Sequence, residues 1–186
     1  MQIVVGACGW QHDQWQGQFY PDDIPFDWRL AYYANEFDTL LLPFEMWSKY
    51  KLEEIESWLE DVPAGFDLFF EVNWDFCNEN VKKMLSHEMF AYRKVEFSSR
   101  LSVQDLEKCY VQQGAIVSID SNKKGIVLLR CSSKNAIKSD EISRLIEKAK
   151  DDYPKCDSVY LFFDQALLDM TVLNNAKIIV DLLSSD

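Results

Sequence analysis

Short apolar runs alternate with stretches of helical periodicity along almost the whole of this 186-residue chain. Gln2 to Cys8 is a β-branched run stopped by Gly9. Phe26 to Phe37 sets apolar residues at 26, 30, 33, 34 and 37 on one helical face, with Pro25 just ahead. Thr39 to Leu42 reads as a fully apolar strand ended by Pro43, and Lys51 to Val62 as a helix that turns Leu52, Ile55 and Leu59 inward. Asp67 to Val72 is a third strand, Glu79 to Phe90 a helix, and Arg93 to Phe97 a strand. Ser102, with Asp105 three residues on, predicts a helix start whose helix closes at Gly114. Ala115 to Ile119 and Ile126 to Cys131 read as two further strands. Ser139 opens another helix, with Ile142, Leu145, Ile146 and Ala149 on one face. Asp157 to Phe163 is the last strand and Asp169 to Leu183 the last helix.

Strands that mostly lead into helices build parallel sheets covered on their outer faces. The expectation is one α/β domain over residues 1–186 with about seven strands. One connection breaks the pattern. Ser121 to Gly125 is far shorter than the dozen or so residues a parallel crossover needs. It predicts a hairpin, so the sheet is either antiparallel near 120–125 or the barrel is open.

Composition narrows the function classes. No run approaches the roughly 18 apolar residues of a membrane helix, and Met1 to Trp10 has no basic residue ahead of its apolar stretch. That start reads as a strand rather than a secretory signal, so the expected location is the cytoplasm. Acids outnumber bases 31 to 19, a net charge of −12 that repels nucleic acid and anionic membranes. The densest basic runs, Lys82-Lys83 and Lys123-Lys124, read as a solvated helix face and a turn. The five cysteines, Cys8, Cys77, Cys109, Cys131 and Cys156, show no C-x-x-C spacing, and only His12 and His87 accompany them. Neither a disulfide framework nor a metal ligand set is assigned. No glycine-rich phosphate loop is present, so the cofactor, if there is one, is unknown.

Particular residues point to a family. Gly6-Ala7-Cys8-Gly9-Trp10, then Trp15-x-Gly17-x-Phe19-Tyr20-Pro21, then Trp28 and Tyr32-Tyr33-Ala34, resemble the opening of the YecE-like family, catalogued as domain of unknown function 72. Phe37-Asp38-Thr39, Trp58, Pro63-x-Gly65-Phe66, Val95-Glu96-Phe97 and Asn175-Ala176 continue the likeness. The resemblance implies a TIM-type barrel and no established activity. Against the family pattern, a Glu and an Asn of the second strand are replaced by Leu41 and Pro43, and a Lys ending the third strand by Glu71. An Arg after the Glu-Phe pair is replaced by Ser98, an Arg-x-His-Gly by Arg130-Cys131-Ser132-Ser133, and an Asn pair by Asp164-Gln165. The fourth strand is missing between Cys77 and Arg93, as is the helix before the seventh strand. The resemblance therefore implies a shortened, divergent member whose function has changed or been lost.

The candidate site follows from strand ends. If all strands are parallel, Glu71, Glu96, Asp120 and Asp164 lie on the C-terminal face, where TIM barrels carry their active sites. Converging carboxylates raise each other's pKa values, recruit a hard cation, or divide acid and base roles. Glu71, Glu96, Asp120 and Arg130 form the candidate catalytic set of a hydrolase or lyase, with or without a metal. The plainer reading pairs Glu96 with Arg130 inside the barrel and leaves the others as solvated loop acids. Trp10, Trp47, Trp74 and Asp164 are candidate ligand contacts, whereas Trp15, Phe19 and Tyr20 pin the first loop. Cys8 with His12 could form an activated thiolate, but no third orienting group accompanies them.

Three functional readings result. The first is a non-catalytic relative that binds a small ligand or partner at the barrel mouth. The second is the carboxylate enzyme. The third, nucleic-acid processing, is opposed by the net charge. A barrel short of a strand or a covering helix would also expose apolar surface that a second copy would bury.

Overall fold

The structure, a computed structural model, describes residues 1–97, 109–116 and 125–184. Four strands open it: β1 (Gln2–Cys8), β2 (Thr39–Leu42), β3 (Asp67–Glu71) and β4 (Lys94–Phe97), paired parallel in chain order. β5 (Cys109–Ile116) runs antiparallel to β4 and to β6 (Ile126–Ser133). β7 (Ser158–Gln165) pairs parallel with β6 and with β1, which closes the barrel. The short 120–125 connection thus corresponds to one reversed strand in a closed barrel, not to an opening.

The described α-helices are α1 (Arg29–Glu36), α3 (Leu52–Glu60), α4 (Glu79–Leu85), α5 (Ser139–Asp152) and α6 (Met170–Ser184), with the single-turn α2 (Phe44–Trp47). Their starts follow local chemistry. The Asn78 side chain accepts from the Val81 N–H at 2.9 Å to cap α4. Glu141 reaches back to the Lys138 N–H at 2.9 Å, and Glu54 to the Lys51 N–H at 2.8 Å, each satisfying a donor the first turn leaves unpaired. The face of α5 at Ile142, Leu145, Ile146 and Ala149 is buried, as its spacing predicts.

Between Glu71 and Lys94 there is no strand, and β3 pairs directly with β4. The helix expected to close at Gly114 is corrected over 109–114, which is strand; residues 102–108 and 117–119 lie outside the described residues. The physical role of Gly114 is not that of a helix stop. A Cβ there would sit 2.7 Å from Val95 Cγ1 and 2.8 Å from Phe97 Cε1. Barrel diameter falls with strand number, and seven strands leave no room for a side chain at that point.

Alternation along the strands divides the core in two. Cys8, Leu41, Phe69, Val95, Leu128, Tyr160 and Phe162 pack together as the barrel filling. Their alternates, such as Ile3, Val5, Leu40, Phe70, Leu129 and Leu161, face the helices and loops. Phe69 meets Tyr160 and Phe162 edge to face, at 5.1 and 5.8 Å between centroids, so three rings share the filling with the aliphatic side chains. At the N-terminal end the Tyr160 hydroxyl donates to Asp67, satisfying the one polar atom of that ring.

The β1–β2 ladder is short, with Ala7 opposite Leu40 and Cys8 opposite Leu41. Tyr33 of α1 repairs it. The Ala7 N–H donates to the Tyr33 hydroxyl at 2.9 Å, and that hydroxyl donates to the Thr39 carbonyl at 3.0 Å. The ring lies stacked beside Phe37 and parallel to Trp15, fully buried. Burial lifts its pKa well above the ordinary tyrosine value.

Candidate site at the barrel mouth

Period two along β3, β6 and β7 decides which side chains enter the mouth. Phe69 and Leu128 face the axis, so Glu71 and Arg130, two residues on, face it as well, and Phe162 places Asp164 likewise. Arg130 Nη1 donates to Glu71 Oε1 at 3.0 Å. Its Nε and Nη2 both donate to Asp164 Oδ2, at 2.9 and 2.6 Å. Glu71 is held from outside too: its Oε2 accepts from the Phe44 N–H at 3.1 Å, and its carbonyl accepts from Trp47 Nε1 at 2.8 Å. The three charged side chains are only 15–18% exposed, so their attraction is weakly screened.

Burial alone would lower the Arg130 pKa, but the Asp164 and Glu71 carboxylates outweigh it and hold the guanidinium above its ordinary value. One cation between two carboxylates leaves a formal charge of −1 at the mouth. The Cys8 thiol lies beneath them. Burial first, then Asp164, raises its pKa well above the ordinary thiol value, and Arg130 offsets only part of that. His12 does not address this thiol. Its Nε2 lies 2.9 Å from the Cys8 carbonyl oxygen and 3.1 Å from that of Gly9, with the ring edge-on to Trp15. Burial lowers the His12 pKa, favouring neutral imidazole. A thiol kept protonated and a histidine turned to backbone do not make a nucleophilic pair.

The expected residues therefore separate. Glu71, Arg130 and Asp164 come together. Glu96 does not: Val95 takes the inward position, so Glu96 points outward, exposed, beside Ala115 of β5. The expected Glu96–Arg130 pair is corrected to Arg130 between Glu71 and Asp164. Asp120 lies outside the described residues. β5 runs antiparallel to β4 and β6, and its last residue, Ile116, pairs with Val95. Trp47 is fully buried, packed edge-on to Phe44 and Phe70, and serves the outer core. Trp10 is buried against Trp58 rather than over the mouth. Trp74 stays 41% exposed in the turn after β3.

A cleft of about 690 Å³ opens beside Glu71, lined also by Asn73, Asp75, Glu96, Phe97 and Gln113. A larger groove, about 860 Å³, lies on the outer flank between the start of α3 and α4, with Lys49, Lys51, Lys83 and His87 on its walls. No mouth residue lines that groove. Among the described residues no three His, Cys, Asp or Glu side chains are arranged to hold a metal ion. No described helix is long and apolar enough to cross a membrane. Sequence reasoning missed Asp164 as a partner of Arg130, though a signal existed. Counting in twos from Leu128 and Phe162 puts both on one face.

Comparison with known proteins agrees with this architecture. The family model described as "Protein of unknown function DUF72" matches residues 4–112, more than half of the chain. Among solved structures, a DUF72 family protein (TM1631) from Thermotoga maritima is similar, with a TM-score of 0.60 and 14% sequence identity. The match covers 99% of this chain and 100% of that one. At that identity the likeness concerns the fold alone. No curated protein matches the sequence.

Proposed function

This chain belongs to the DUF72 family, and from that premise we propose that it is a non-catalytic, cytoplasmic member that binds a small ligand at the C-terminal face of its barrel. One observation carries the proposal: the only cation of the described mouth, Arg130, is already divided between Glu71 and Asp164. A catalytic arginine offers its donors to charge that develops in substrate, and here Nε, Nη1 and Nη2 each commit an N–H to Glu71 or Asp164. The Cys8 thiol is buried and protonated, which supports the same conclusion. Ligand contacts then fall to the adjoining cleft, where Asn73, Asp75, Glu96 and Gln113 provide polar groups beside the Phe97 ring. That lining favours a small polar ligand rich in hydrogen-bond donors.

The test is a thermal-shift screen of polar metabolites and divalent cations on wild type, Asp75→Asn and Glu96→Gln. Both substituted residues are exposed, so neither change disturbs the core. A ligand at about 100 times its Kd adds about 2.7 kcal/mol of apparent stability. The proposal expects that shift to shrink in both variants. A hit unaffected by either places binding elsewhere. Turnover of simple ester, phosphate or glycoside substrates, abolished by Glu71→Gln, would overturn the non-catalytic assignment and restore the carboxylate enzyme.

A further inference from the structure

A third, smaller cavity lies outside the barrel, where the loop after β1, the turn before α1 and helix α3 meet. Four aromatic residues line it: Trp10, Phe26, Tyr50 and Trp58. The rings pack edge to face rather than as a stack. Trp10 meets Trp58 at 5.0 Å between centroids and 76° between planes, and Tyr50 meets Trp58 at 4.9 Å and 74°. Phe26 is 52% exposed. Three carboxylates, Asp27, Glu54 and Asp61, share the lining. Glu54 is engaged with the Lys51 N–H. Asp27 and Asp61 make no ion pair and no side-chain hydrogen bond with any described residue.

We propose that this aromatic cavity is a binding site for a small organic cation, a quaternary or otherwise alkylated ammonium group. The face of an aromatic ring carries negative potential, and a desolvated cation over several rings gains about 2 kcal/mol or more. Alkylated ammonium suits such walls better than a metal ion, because it sheds little hydration and presents methyl groups to the rings. The unpaired Asp27 and Asp61 select positive charge. The volume, about 260 Å³, falls just below the roughly 300–1,000 Å³ of sites for drug-sized ligands, and so fits a headgroup rather than a larger molecule. Two of the rings already attract cations within the chain: Arg29 lies 5.4 Å from the Phe26 centroid and Lys49 lies 5.5 Å from that of Tyr50. Neither lines the cavity. The site is separate from the barrel mouth, so it stands or falls independently of the ligand proposed there.

The experiment titrates the ¹⁵N-labelled full chain with choline and with 3,3-dimethylbutanol, its uncharged isostere, and follows the indole N–H signals of Trp10 and Trp58. Choline is expected to give saturable shifts at these two indoles, with the isostere at least about tenfold weaker, as loss of one desolvated charge contact requires. Phe26→Leu should weaken choline about threefold or more, and Asp27→Asn with Asp61→Asn should do the same while leaving the isostere unchanged. All three positions are exposed, so the variants fold. Equal binding of choline and the isostere would overturn the proposal, as would choline shifts that ignore all three substitutions. An absence of saturable shifts at either indole would overturn it too. Shifts confined to mouth residues would assign the cation to the barrel instead.

Discussion

Arg130 on β6 reaches Glu71 on β3 at 3.0 Å, joining two strands that are not neighbours in the sheet and lie 59 residues apart in the chain. With Asp164 on β7 the contact spans the barrel interior above the Phe69, Phe162 and Leu128 layer. Such a cluster is costly to break from one side, because removing the cation strands two poorly solvated carboxylates.

Arg130→Met is accordingly expected to lower stability by about 3–5 kcal/mol, measured by urea unfolding at neutral pH. Adding Glu71→Gln and Asp164→Asn should recover part of that loss, since the stranded charges go while Gln still accepts from the Phe44 N–H. A single variant as stable as wild type would show that the cluster is solvated in practice.

Tyr33→Phe removes one oxygen and leaves two buried backbone groups, the Ala7 N–H and the Thr39 carbonyl, without their partner. Each unsatisfied group costs about 1–3 kcal/mol. The neighbouring Tyr32, half-buried in the same helix, serves as the control. Tyr32→Phe should cost well under half as much. Protection of the Ala7 amide against hydrogen exchange should fall in the Tyr33 variant alone.

His12 couples the fold to pH. Burial lowers its pKa in the folded chain, whereas the unfolded chain takes up the proton near the ordinary value of about 6.5. Between those two values the unfolded state binds more protons, so this contribution to stability is present above about pH 6.5 and is lost as pH falls below it. Chemical unfolding between pH 7.5 and 5.0 should therefore show a steeper decline for wild type than for His12→Asn. Parallel declines would mean that the imidazole is open to water.

Cys8 sits inside the barrel, 2% exposed, with its thiol held protonated by burial. Cys156 is half-buried and outside the barrel filling. Iodoacetamide at pH 7.5, followed by peptide mass spectrometry, should modify Cys156 long before Cys8, and Cys8 only once the chain unfolds. Prompt alkylation of Cys8 would revive a nucleophilic role for it.

Much of this molecule was legible in the order of its residues. The runs at Gln2–Cys8, Thr39–Leu42 and Asp67–Glu71 are the short, near-continuous apolar segments of strands covered on both faces, and the α5 face at Ile142, Leu145, Ile146 and Ala149 carries the 3.6-residue period of a helix. Both signals are local, and the short 121–125 connection called for either a reversed strand or an open barrel. Glu71 and Arg130 were found because strand ends in such folds face the mouth. What the sequence could not decide was partnership. Whether Arg130 meets Glu96 or Asp164 depends on which residue of β4 turns inward, and Val95 takes that place because the filling beside Phe69 and Leu128 is apolar. Gly114 is alike as a helix stop or as a gap for Val95 and Phe97 until the strands are set side by side. Trp10 and Trp47 left the mouth for the same reason: large rings go where apolar surface is buried, and only the packed helices and loops determine where that surface lies.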